Sequence, residues 1–382
     1  MNLDRLHELL DRCVELQASD LHLCADYVPY ARIHGTMMPI DEQVMPAAEL
    51  ERLATGVMND KQRELFQLDR QLDMAMTSRG GTNFRVNTFF TRGKVAMVVR
   101  RLDDKFRTLD QLHLPASLSD LADLDDGLVL VSGATGSGKS TTLATLIHMI
   151  NLTRPAHIIT VEDPLEYLHK NIKSVVRQRE LYTDVPTFAN AVRGALREDP
   201  DVILIGEMRD LETMRAAITA AETGHLVFST LHSGDAVGAV DRMIGVFPAD
   251  EQDSIRHQLS GVLRAVLAQR LMKHRSGQGR VPVVELLRCN TAVSNLIRRG
   301  EVQYIPTVME TAGDEGMILY DHSLASLVAQ DLIDAEAARD AARDPSVFDT
   351  RLQMELTRIE QSRQATQQDS RPAKRSFWSM RK

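Results

Sequence analysis

The sequence predicts an α/β protein with two dissimilar domains and a helical C-terminal extension. Helix-like and strand-like segments are mixed over the first hundred residues, which is typical of an α+β domain. From Gly127 onward apolar strands alternate with helices, which predicts a parallel sheet, and after Pro248 the pattern becomes helical. The units predicted on this basis are an N-terminal domain at residues 1–105, a linker at 106–126, an α/β core at 127–290, a helical region at 291–360 and a basic disordered tail at 361–382.

Length and composition exclude several classes of protein. The chain has 382 residues, of which 43% are hydrophobic and 26% charged, as expected for a globular protein with two or three cores. No apolar run is long enough to span a membrane and the N-terminus lacks a signal-peptide core, so we expect a cytoplasmic protein without a transmembrane segment. The scattered cysteines Cys13, Cys24 and Cys289 argue against a disulfide scaffold or a zinc site. A formal net charge of −8 disfavours nucleic-acid binding.

The predicted N-terminal domain contains no catalytic motif. Residues 3–16 have the apolar spacing of an amphipathic helix, and residues 47–65 are also predicted to be helical. The predicted strands are residues 21–23, 31–34, 74–77, 84–89 and 95–100. Residues 108–124 are predicted to be a connector, because Pro115 interrupts a helical pattern.

The rest of the chain is predicted to continue as strands, then helices, then a tail. The strands are expected at residues 128–131, 157–161, 175–177, 202–205 and 226–230, and the later helices at 250–273, 291–299 and 323–342. The tail has six basic residues and one acid, with Phe377 and Trp378 near its end. Its polar composition predicts disorder, and a solvated tail and a weak anchor to anionic lipid or a partner are both compatible with it.

A glycine-rich loop between an apolar strand and a helix is the most specific motif of the sequence. It comprises Gly133, Ala134, Thr135, Gly136, Ser137, Gly138, Lys139, Ser140 and Thr141. G-x-x-x-x-G-K-S in this context is typical of a P-loop, whose backbone amides wrap a phosphate at the positive end of a helix dipole. The motif predicts ATP binding, with Lys139 at the β- and γ-phosphates and Ser140 as a ligand of Mg²⁺.

Three polar clusters follow later strands, at the sheet edge where ligands bind. They are Glu162, Asp163 and Glu166; Glu207 and Arg209; and His225 and His232. Nucleotide hydrolysis needs a group that orients water, an acid that holds the metal and a γ-phosphate sensor, and Glu166, Glu207 and His232 can fill these roles.

Each cluster also has a less specific interpretation. A carboxylate after a strand is often a helix cap, as Asp163 followed by Pro164 suggests. Gly206 stands where a Walker B segment often has aspartate, so Glu207 is expected to serve as the Mg²⁺ or water ligand. The two histidines lie at opposite ends of one predicted strand and cannot form a compact metal pair.

An arginine that would neutralise transition-state charge is missing from the predicted site within one subunit. Such arginine fingers often come from a neighbouring subunit. The N-terminal strands carry the candidates Arg85, Arg92, Arg100 and Arg101, and an ordinary sheet-surface role is equally compatible with each. A finger supplied by a neighbour would imply a ring.

Four segments resemble motifs of the secretion-ATPase superfamily. They are GATGSGKS, ITVEDPLEY, LREDPDVILIGEMRDLETMRAAITAAETGH and STLH, which resemble its Walker A, aspartate-box, Walker B and histidine-box motifs. Within the superfamily the chain resembles the type IV pilus retraction ATPases, the twitching-motility PilT/PilU group, over residues 3–356.

The resemblance implies a PAS-like N-terminal domain, a RecA-like P-loop domain and a homohexameric cytoplasmic ring with ATP bound between the domains. ATP hydrolysis would drive domain rotations, and the ring would dock on an inner-membrane platform protein and extract pilin from the pilus base. By position, Lys139 and Ser140 correspond to the phosphate and Mg²⁺ residues, Glu166 to the catalytic glutamate, Glu207 to the Walker B acid, His225 and His232 to the histidine box, and Arg85 and Arg100 to N-domain arginine fingers.

Two departures leave the paralogue open. The A-I-R-N-L segment of the retraction motors is Ala-Val-Ser-Asn-Leu here, which keeps Asn295 and Leu296 but has Ser294 in place of arginine. The C-terminal extension resembles the accessory paralogue, whereas the Walker B region resembles the main motor, and a paralogous retraction ATPase is a possible partner. The alternatives are a pilus-assembly or type II secretion ATPase and a non-hydrolysing ring scaffold that binds nucleotide.

Overall fold

Two β-sheets organise the chain, and each has its own buried core. A computed structural model of the protein describes residues 3–33, 36–102 and 106–369. Within these ranges the first sheet has six strands and the second has seven. The core of the first sheet draws on residues 3–99, whereas the apolar clusters around the second sheet begin at Leu109. The predicted mixed α/β class is therefore confirmed.

The first sheet is antiparallel, with the strand order β3-β2-β1-β6-β5-β4. Its elements are α1 (Asp4–Glu15), β1 (Asp20–Cys24), β2 (Tyr30–Ile33), β3 (Thr36–Pro39), α2 (Ala47–Gly56), α3 (Asp60–Asp69), β4 (Gln71–Thr77), β5 (Asn83–Thr91) and β6 (Lys94–Arg101). The single helix predicted at 47–65 is wrong: Asn59 and Gln62 form a capping box that starts α3 as a separate helix. Strand β3 was not predicted.

The segment between the two sheets packs on the second sheet. It contains two short 3-10 helices, Asp110–Leu112 and Ala116–Leu121. Leu118 and Leu121 are buried among residues of the second sheet. The predicted connector therefore contributes to that core.

The second sheet is parallel apart from one antiparallel hairpin, with the strand order β13-β12-β7-β11-β10-β8-β9. Its elements are β7 (Gly127–Ser132), α4 (Lys139–Thr153), β8 (His157–Glu162), β9 (Val175–Glu180), α5 (Phe188–Ala195), β10 (Val202–Ile205), α6 (Leu211–Glu222), β11 (Leu226–Leu231), α7 (Ala236–Gly245), α8 (Gln252–Val262), β12 (Leu263–Lys273) and β13 (Arg280–Arg288). The carboxyl ends of β7, β8, β10 and β11 share one edge, which is where the predicted motifs lie.

The helix predicted over residues 250–273 is wrong in its second half. Helix α8 ends at Val262, and the buried apolar run that follows forms β12 beside the P-loop strand β7. A short buried run has the same local pattern in a helix and in a central strand, and only pairing with β7 and β13 decides between them. Gly277 and Gly279, both with positive φ, lie in the turn of the β12–β13 hairpin.

The C-terminal region is helical, as predicted. Its helices are α9 (Thr291–Arg299), α10 (Ile305–Thr311), α11 (Tyr320–Ala329), α12 (Ala335–Ala341) and α13 (Pro345–Asp369). The helix predicted at 323–342 is two helices, because Asp334 caps α12. Helix α13 extends into the segment predicted to be disordered, and the rest of that tail, with Phe377 and Trp378, lies outside the described residues. None of the helices in the described ranges combines the length and apolar character needed to cross a membrane.

Candidate nucleotide site

The predicted P-loop turns tightly between β7 and α4 and lies against β12. Gly133 and Gly138 have φ angles of 147° and 92°, which residues other than glycine rarely adopt. A Cβ atom on Gly133 would lie 2.3 Å from the backbone oxygen of Gln269, and one on Gly138 would lie 2.6 Å from its side-chain nitrogen. Both positions therefore require glycine, because the loop passes so close to β12.

Gln269, on β12, supports the loop and was not among the predicted site residues. Its Nε2 donates to the Ser137 carbonyl oxygen at 2.8 Å, and its Oε1 accepts from the Thr142 hydroxyl at 2.8 Å. The side chain is buried, so these bonds satisfy polar groups that water does not reach. The residue could have been found only by recognising β12 as a strand, because nothing in the local sequence marks it.

Lys139 lies at the base of the loop. Its ammonium group donates to the carbonyl oxygens of Gly133 and Ala134 at 2.8 and 3.0 Å. Burial lowers the pKa of Lys139, and the negative charges of Glu207 and Glu166 oppose that shift. The Ser137 hydroxyl is buried and has no partner within the described residues. A buried ammonium, an unpaired hydroxyl and a glycine cradle at a helix N-terminus are together suited to binding phosphate.

A cavity of about 220 Å³ opens in front of the loop and brings most of the predicted site residues together. Those that line it are Thr135, Gly136, Lys139, Ser140, Glu162, Asp163, Glu166, Glu207, Arg209, His232 and Arg85. The sequence pattern placed the first ten at one sheet edge, and the structure gathers them there.

Glu207 lies between His232 and Arg209. Its Oε1 lies 3.0 Å from His232 Nε2, and its Oε2 accepts a hydrogen bond from Arg209 Nη2 at 2.7 Å. Burial raises the pKa of Glu207, but the hydrogen bond and charge of Arg209 outweigh it and hold the pKa below the usual range. Glu207 is therefore an ionised oxygen ligand, which suits a hard cation such as Mg²⁺.

The absence of aspartate at the Walker B position has a steric cause. A Cβ atom on Gly206 would lie 3.2 Å from the Val161 carbonyl oxygen and 3.2 Å from Glu162 Cα. The end of β10 therefore passes too close to β8 for a side chain to fit at Gly206 without displacement. The acid of this segment is instead the next residue, Glu207.

Glu166 faces an arginine of the first sheet. Arg85 Nη1 lies 3.6 Å from Glu166 Oε1, and Arg85 Nε lies 3.5 Å from Asp73 Oδ1. The expectation that one chain lacks an arginine at the site is therefore wrong for Arg85, which strand β5 delivers in cis. Arg100 is the cross-strand neighbour of Arg85 but does not line the cavity, and its Nε donates to Asp20 of β1 at 2.7 Å.

Glu162 and Asp163 lie at the end of β8. Burial raises the pKa of Glu162 to about 7, against the hydrogen bonds that it accepts from Thr160 and Gln178. Burial also raises the pKa of Asp163, while Arg209 lowers it. The peptide bond between Asp163 and Pro164 is cis, and residues 163–174 form no helix. The helix-cap interpretation of Asp163 is therefore wrong.

The remaining predicted residues lie away from the cavity. His225 precedes β11 and contacts the Ala220 carbonyl oxygen at 2.9 Å, so β11 separates it from His232 as predicted. Asn295 and Leu296 lie on α9, where Asn295 is exposed. In the part of the chain that the structure describes, no three His, Cys, Asp or Glu side chains are grouped to hold a metal ion. A divalent ion at Ser140 and Glu207 would thus also depend on the oxygens of a bound nucleotide.

Aromatic rings beside the cavity were also missed, and two of them, Tyr167 and His169, line it. Phe106 stacks on His148 and His169, with ring centroids 4.1 and 4.5 Å apart, and the Tyr167 hydroxyl lies 3.0 Å from Thr141 Oγ1. Burial lowers the pKa of His169 to about 4, so this ring is neutral near pH 7. The rings come from separate segments of the chain, and no local sequence pattern predicts their contact.

Comparison with known proteins agrees with the motifs. The family of type II/IV secretion system proteins matches residues 3–339. A twitching motility protein of Neisseria gonorrhoeae is 48% identical over 316 residues, which cover 83% of this chain and 84% of that protein. The type IV pilus retraction ATPase PilT of Pseudomonas aeruginosa is 43% identical over 341 residues, 89% of this chain and 99% of that protein. The crystal structure of the pilus retraction motor PilT with bound ADP matches with a TM-score of 0.82 at 42% identity, covering 90% of this chain and 98% of that one. The predicted resemblance is confirmed, and the chain belongs to the type II/IV secretion system protein family.

Proposed function

We propose that the protein is a Mg²⁺-dependent ATPase that powers retraction of a type IV pilus. One observation carries the proposal. The P-loop lysine, the Glu207–His232 pair and the Arg85–Glu166 pair converge on one cavity at the carboxyl ends of the parallel strands. A phosphate cradle, a metal-holding acid, a carboxylate for water and a cation for transition-state charge are what phosphoryl transfer requires.

The loop amides and Lys139 bind the phosphates of ATP. To do so, the ammonium group exchanges its bonds to the Gly133 and Ala134 oxygens for bonds to phosphate oxygens. Mg²⁺, held by Ser140 and Glu207, would neutralise charge on the phosphates. The residues present fit that ion, because they supply one hydroxyl and one ionised carboxylate beside the cradle.

Glu166 orients the attacking water and accepts its proton as the bond between the γ-phosphorus and the bridging oxygen breaks. Arg85 lies beside Glu166 and stabilises the negative charge that develops on the γ-phosphoryl oxygens. His232 contacts Glu207 and directly follows β11, so loss of the γ-phosphate would change its contacts and thereby affect β11. The γ-phosphate is contacted from both sheets. Its release after hydrolysis removes these contacts, which permits the sheets to move relative to each other.

The wider assignments belong to the same proposal. We propose that the chain assembles as a homohexamer at the cytoplasmic side of the inner membrane, on the platform protein of the pilus, with or without a paralogous ATPase. Residues 1–105, 127–290 and 291–360 would be its structural units. The similarity to a pilus retraction motor with ADP over 90% of the chain supports this assignment.

A hydrolysis assay tests the enzymatic part. The wild type should release phosphate from ATP only with Mg²⁺, and Glu166→Gln and Glu207→Gln should bind ATP but lose turnover. Normal rates in both variants would remove these residues from the mechanism. A wild type that binds ATP and never hydrolyses it would favour the ring scaffold.

Pilus retraction in cells that lack the gene tests the biological part. If pili accumulate without retracting and Lys139→Ala does not restore motion, the protein is the principal retraction motor. If retraction persists but weakens under load and Lys139→Ala complements, it is an accessory paralogue. Loss of pili altogether would instead favour the assembly ATPase.

A further inference from the structure

A buried carboxylate outside the cavity joins the two sheets. Glu180 is the last residue of β9, at the edge of the second sheet, and it is only 7% exposed. Its Oε1 accepts a hydrogen bond from the backbone N–H of Ala75 at 2.8 Å, although Ala75 belongs to β4 of the first sheet. A second bond runs beside it, from Gln62 Nε2 to the Thr183 hydroxyl at 3.0 Å.

The partner of Glu180 is a backbone group that has no strand to pair with. Strand β4 is the edge of the first sheet, so alternate N–H groups point away from β5. The Ala75 N–H is one of these, since it donates to Glu180. Without an acceptor this group would be left unpaired at a partly buried contact, which costs free energy. The turn after β9 is itself held, because the Glu180 N–H donates to Asp184 Oδ2 at 2.8 Å.

The bonded residue is the cross-strand neighbour of the arginine in the site. Ala75 pairs directly with Arg85 in the β4–β5 register. The Cα atoms of such a pair lie only about 4.5 Å apart when their N–H groups point outward. Fixing the Ala75 backbone therefore fixes the origin of the Arg85 side chain, whose guanidinium reaches Glu166 at 3.6 Å.

We propose that Glu180 is a positioning residue that anchors the β4–β5 strand pair over the nucleotide site, so that Arg85 faces Glu166. It acts through Arg85 and does not line the cavity. The inference rests on the proposed ATPase function. Burial raises the pKa of Glu180 to about 7, while the Ala75 hydrogen bond lowers it and the nearby acids Asp184, Asp163 and Glu162 raise it. An uncharged oxygen acceptor at this position should therefore serve nearly as well as a carboxylate.

Substitutions that keep or remove the acceptor test this. Glu180→Ala should lower kcat about 10-fold to 100-fold with the KM for ATP little changed, because small misplacement of a catalytic group has effects of this size. Glu180→Gln keeps an oxygen acceptor and should restore most of the rate. Glu198→Ala is the matched control, since Glu198 pairs with Arg179, which precedes Glu180 on β9. A Glu180→Ala protein with unchanged kcat would overturn the proposal, and so would a Glu180→Gln protein as impaired as Glu180→Ala.

A double mutant separates positioning from a general structural effect. In an Arg85→Ala background, Glu180→Ala should cause no further loss of kcat, because the side chain that it positions is gone. Losses that multiply would show that Glu180 acts independently of Arg85, against the proposal. Fluorescent ATP binding should be equal in all of these variants.

Hydrogen exchange reports the contact without relying on hydrolysis. The peptide Gln71–Thr77 should take up about one more deuteron in Glu180→Ala than in the wild type or Glu180→Gln, because one amide loses its acceptor. Identical exchange in all three proteins would overturn the anchoring contact. If the wild type shows no hydrolysis, the proposed function fails, and the exchange result still decides whether Glu180 anchors β4.

Discussion

The two sheets hold the nucleotide site in different ways. On the side of the second sheet, the P-loop is packed against β12 by the buried Gln269, and Lys139 is itself buried. On the side of the first sheet, Arg85 reaches the site with a side chain that is 37% exposed and ion-pair distances of 3.5 and 3.6 Å. The site thus has two halves. The rigid half, which comprises the P-loop and Gln269 of the second sheet, binds the nucleotide. The loosely held half, which is Arg85 of the first sheet, completes the site.

The contact between the sheets is polar where the structure describes it. The buried apolar clusters do not mix residues of the two sheets, and the bonds from Ala75 to Glu180 and from Gln62 to Thr183 join them. Polar contacts of this kind are typical of domains that move relative to each other. Nucleotide binding and mechanical coupling are therefore separable properties, which substitutions on either side can distinguish.

Removing the lysine of the rigid half should have the largest effect. Lys139→Ala is expected to weaken ATP binding by about 100-fold to 1000-fold and to abolish hydrolysis, because it deletes a buried charge partner of the phosphates. Titration with a fluorescent ATP analogue measures this. Lys173→Ala, at an exposed lysine in the bend before β9, is the control. Wild-type ATP affinity in Lys139→Ala would contradict the assignment of phosphate binding to the rigid half.

Removing the arginine of the loosely held half should affect turnover and spare binding. Arg85→Ala is expected to lower kcat about 100-fold, the typical cost of losing one group that stabilises transition-state charge. The KM for ATP should change little. Arg79→Ala is the matched control, since Arg79 lies in the turn between β4 and β5 and forms an exposed pair with Asp4 of α1.

Mixed assemblies decide which subunit Arg85 serves. If Arg85 acts in its own chain, mixing Arg85→Ala subunits with Lys139→Ala subunits should restore no hydrolysis, because neither kind has a complete site. Activity that returns on mixing would show that Arg85 acts across an interface. The same mixture with Arg100→Ala tests the predicted finger that the structure places beside Asp20.

Residues at the carboxyl ends of the parallel strands could be predicted from the sequence, whereas residues placed by distant pairing or by docking of the sheets could not. The P-loop, Glu166, Glu207 and His232 were predicted to meet, because the carboxyl ends of parallel strands share an edge. The three side chains and four residues of the P-loop line one cavity. Gln269 and β12 were missed, since the helical or extended state of a short buried run is decided by its distant partners. The cis placement of Arg85 was missed for a related reason, because it depends on how two separate sheets are docked.

Support of the P-loop by Gln269 should be a smaller effect within the rigid half. Gln269→Leu would leave the Ser137 carbonyl and the Thr142 hydroxyl without their buried partner. Unpaired buried groups cost about 1–3 kcal/mol, so we expect a loss of stability of that size and ATP binding weakened about 10-fold. Denaturant unfolding and ATP titration measure the two effects. Gln258→Leu is the control, since that glutamine is only half-buried and its hydrogen bond to Glu222 is exposed. Equal behaviour of the two variants would contradict the supporting role.

The smallest expected effect concerns pH and the contact between the halves. Burial raises the pKa of Glu180 to about 7 from its ordinary value of 4.5. Between these values the folded protein keeps a proton that the unfolded chain has lost, so this group favours folding at low pH and the benefit is lost as pH rises to about 7. The free energy of unfolding of the wild type should therefore fall relative to Glu180→Gln by up to about 1.4 kcal/mol per pH unit in this window. Urea unfolding of both proteins at several pH values measures the difference. A difference that is constant with pH would mean that Glu180 titrates normally, and that the contact between the sheets is more hydrated than its 7% exposure implies.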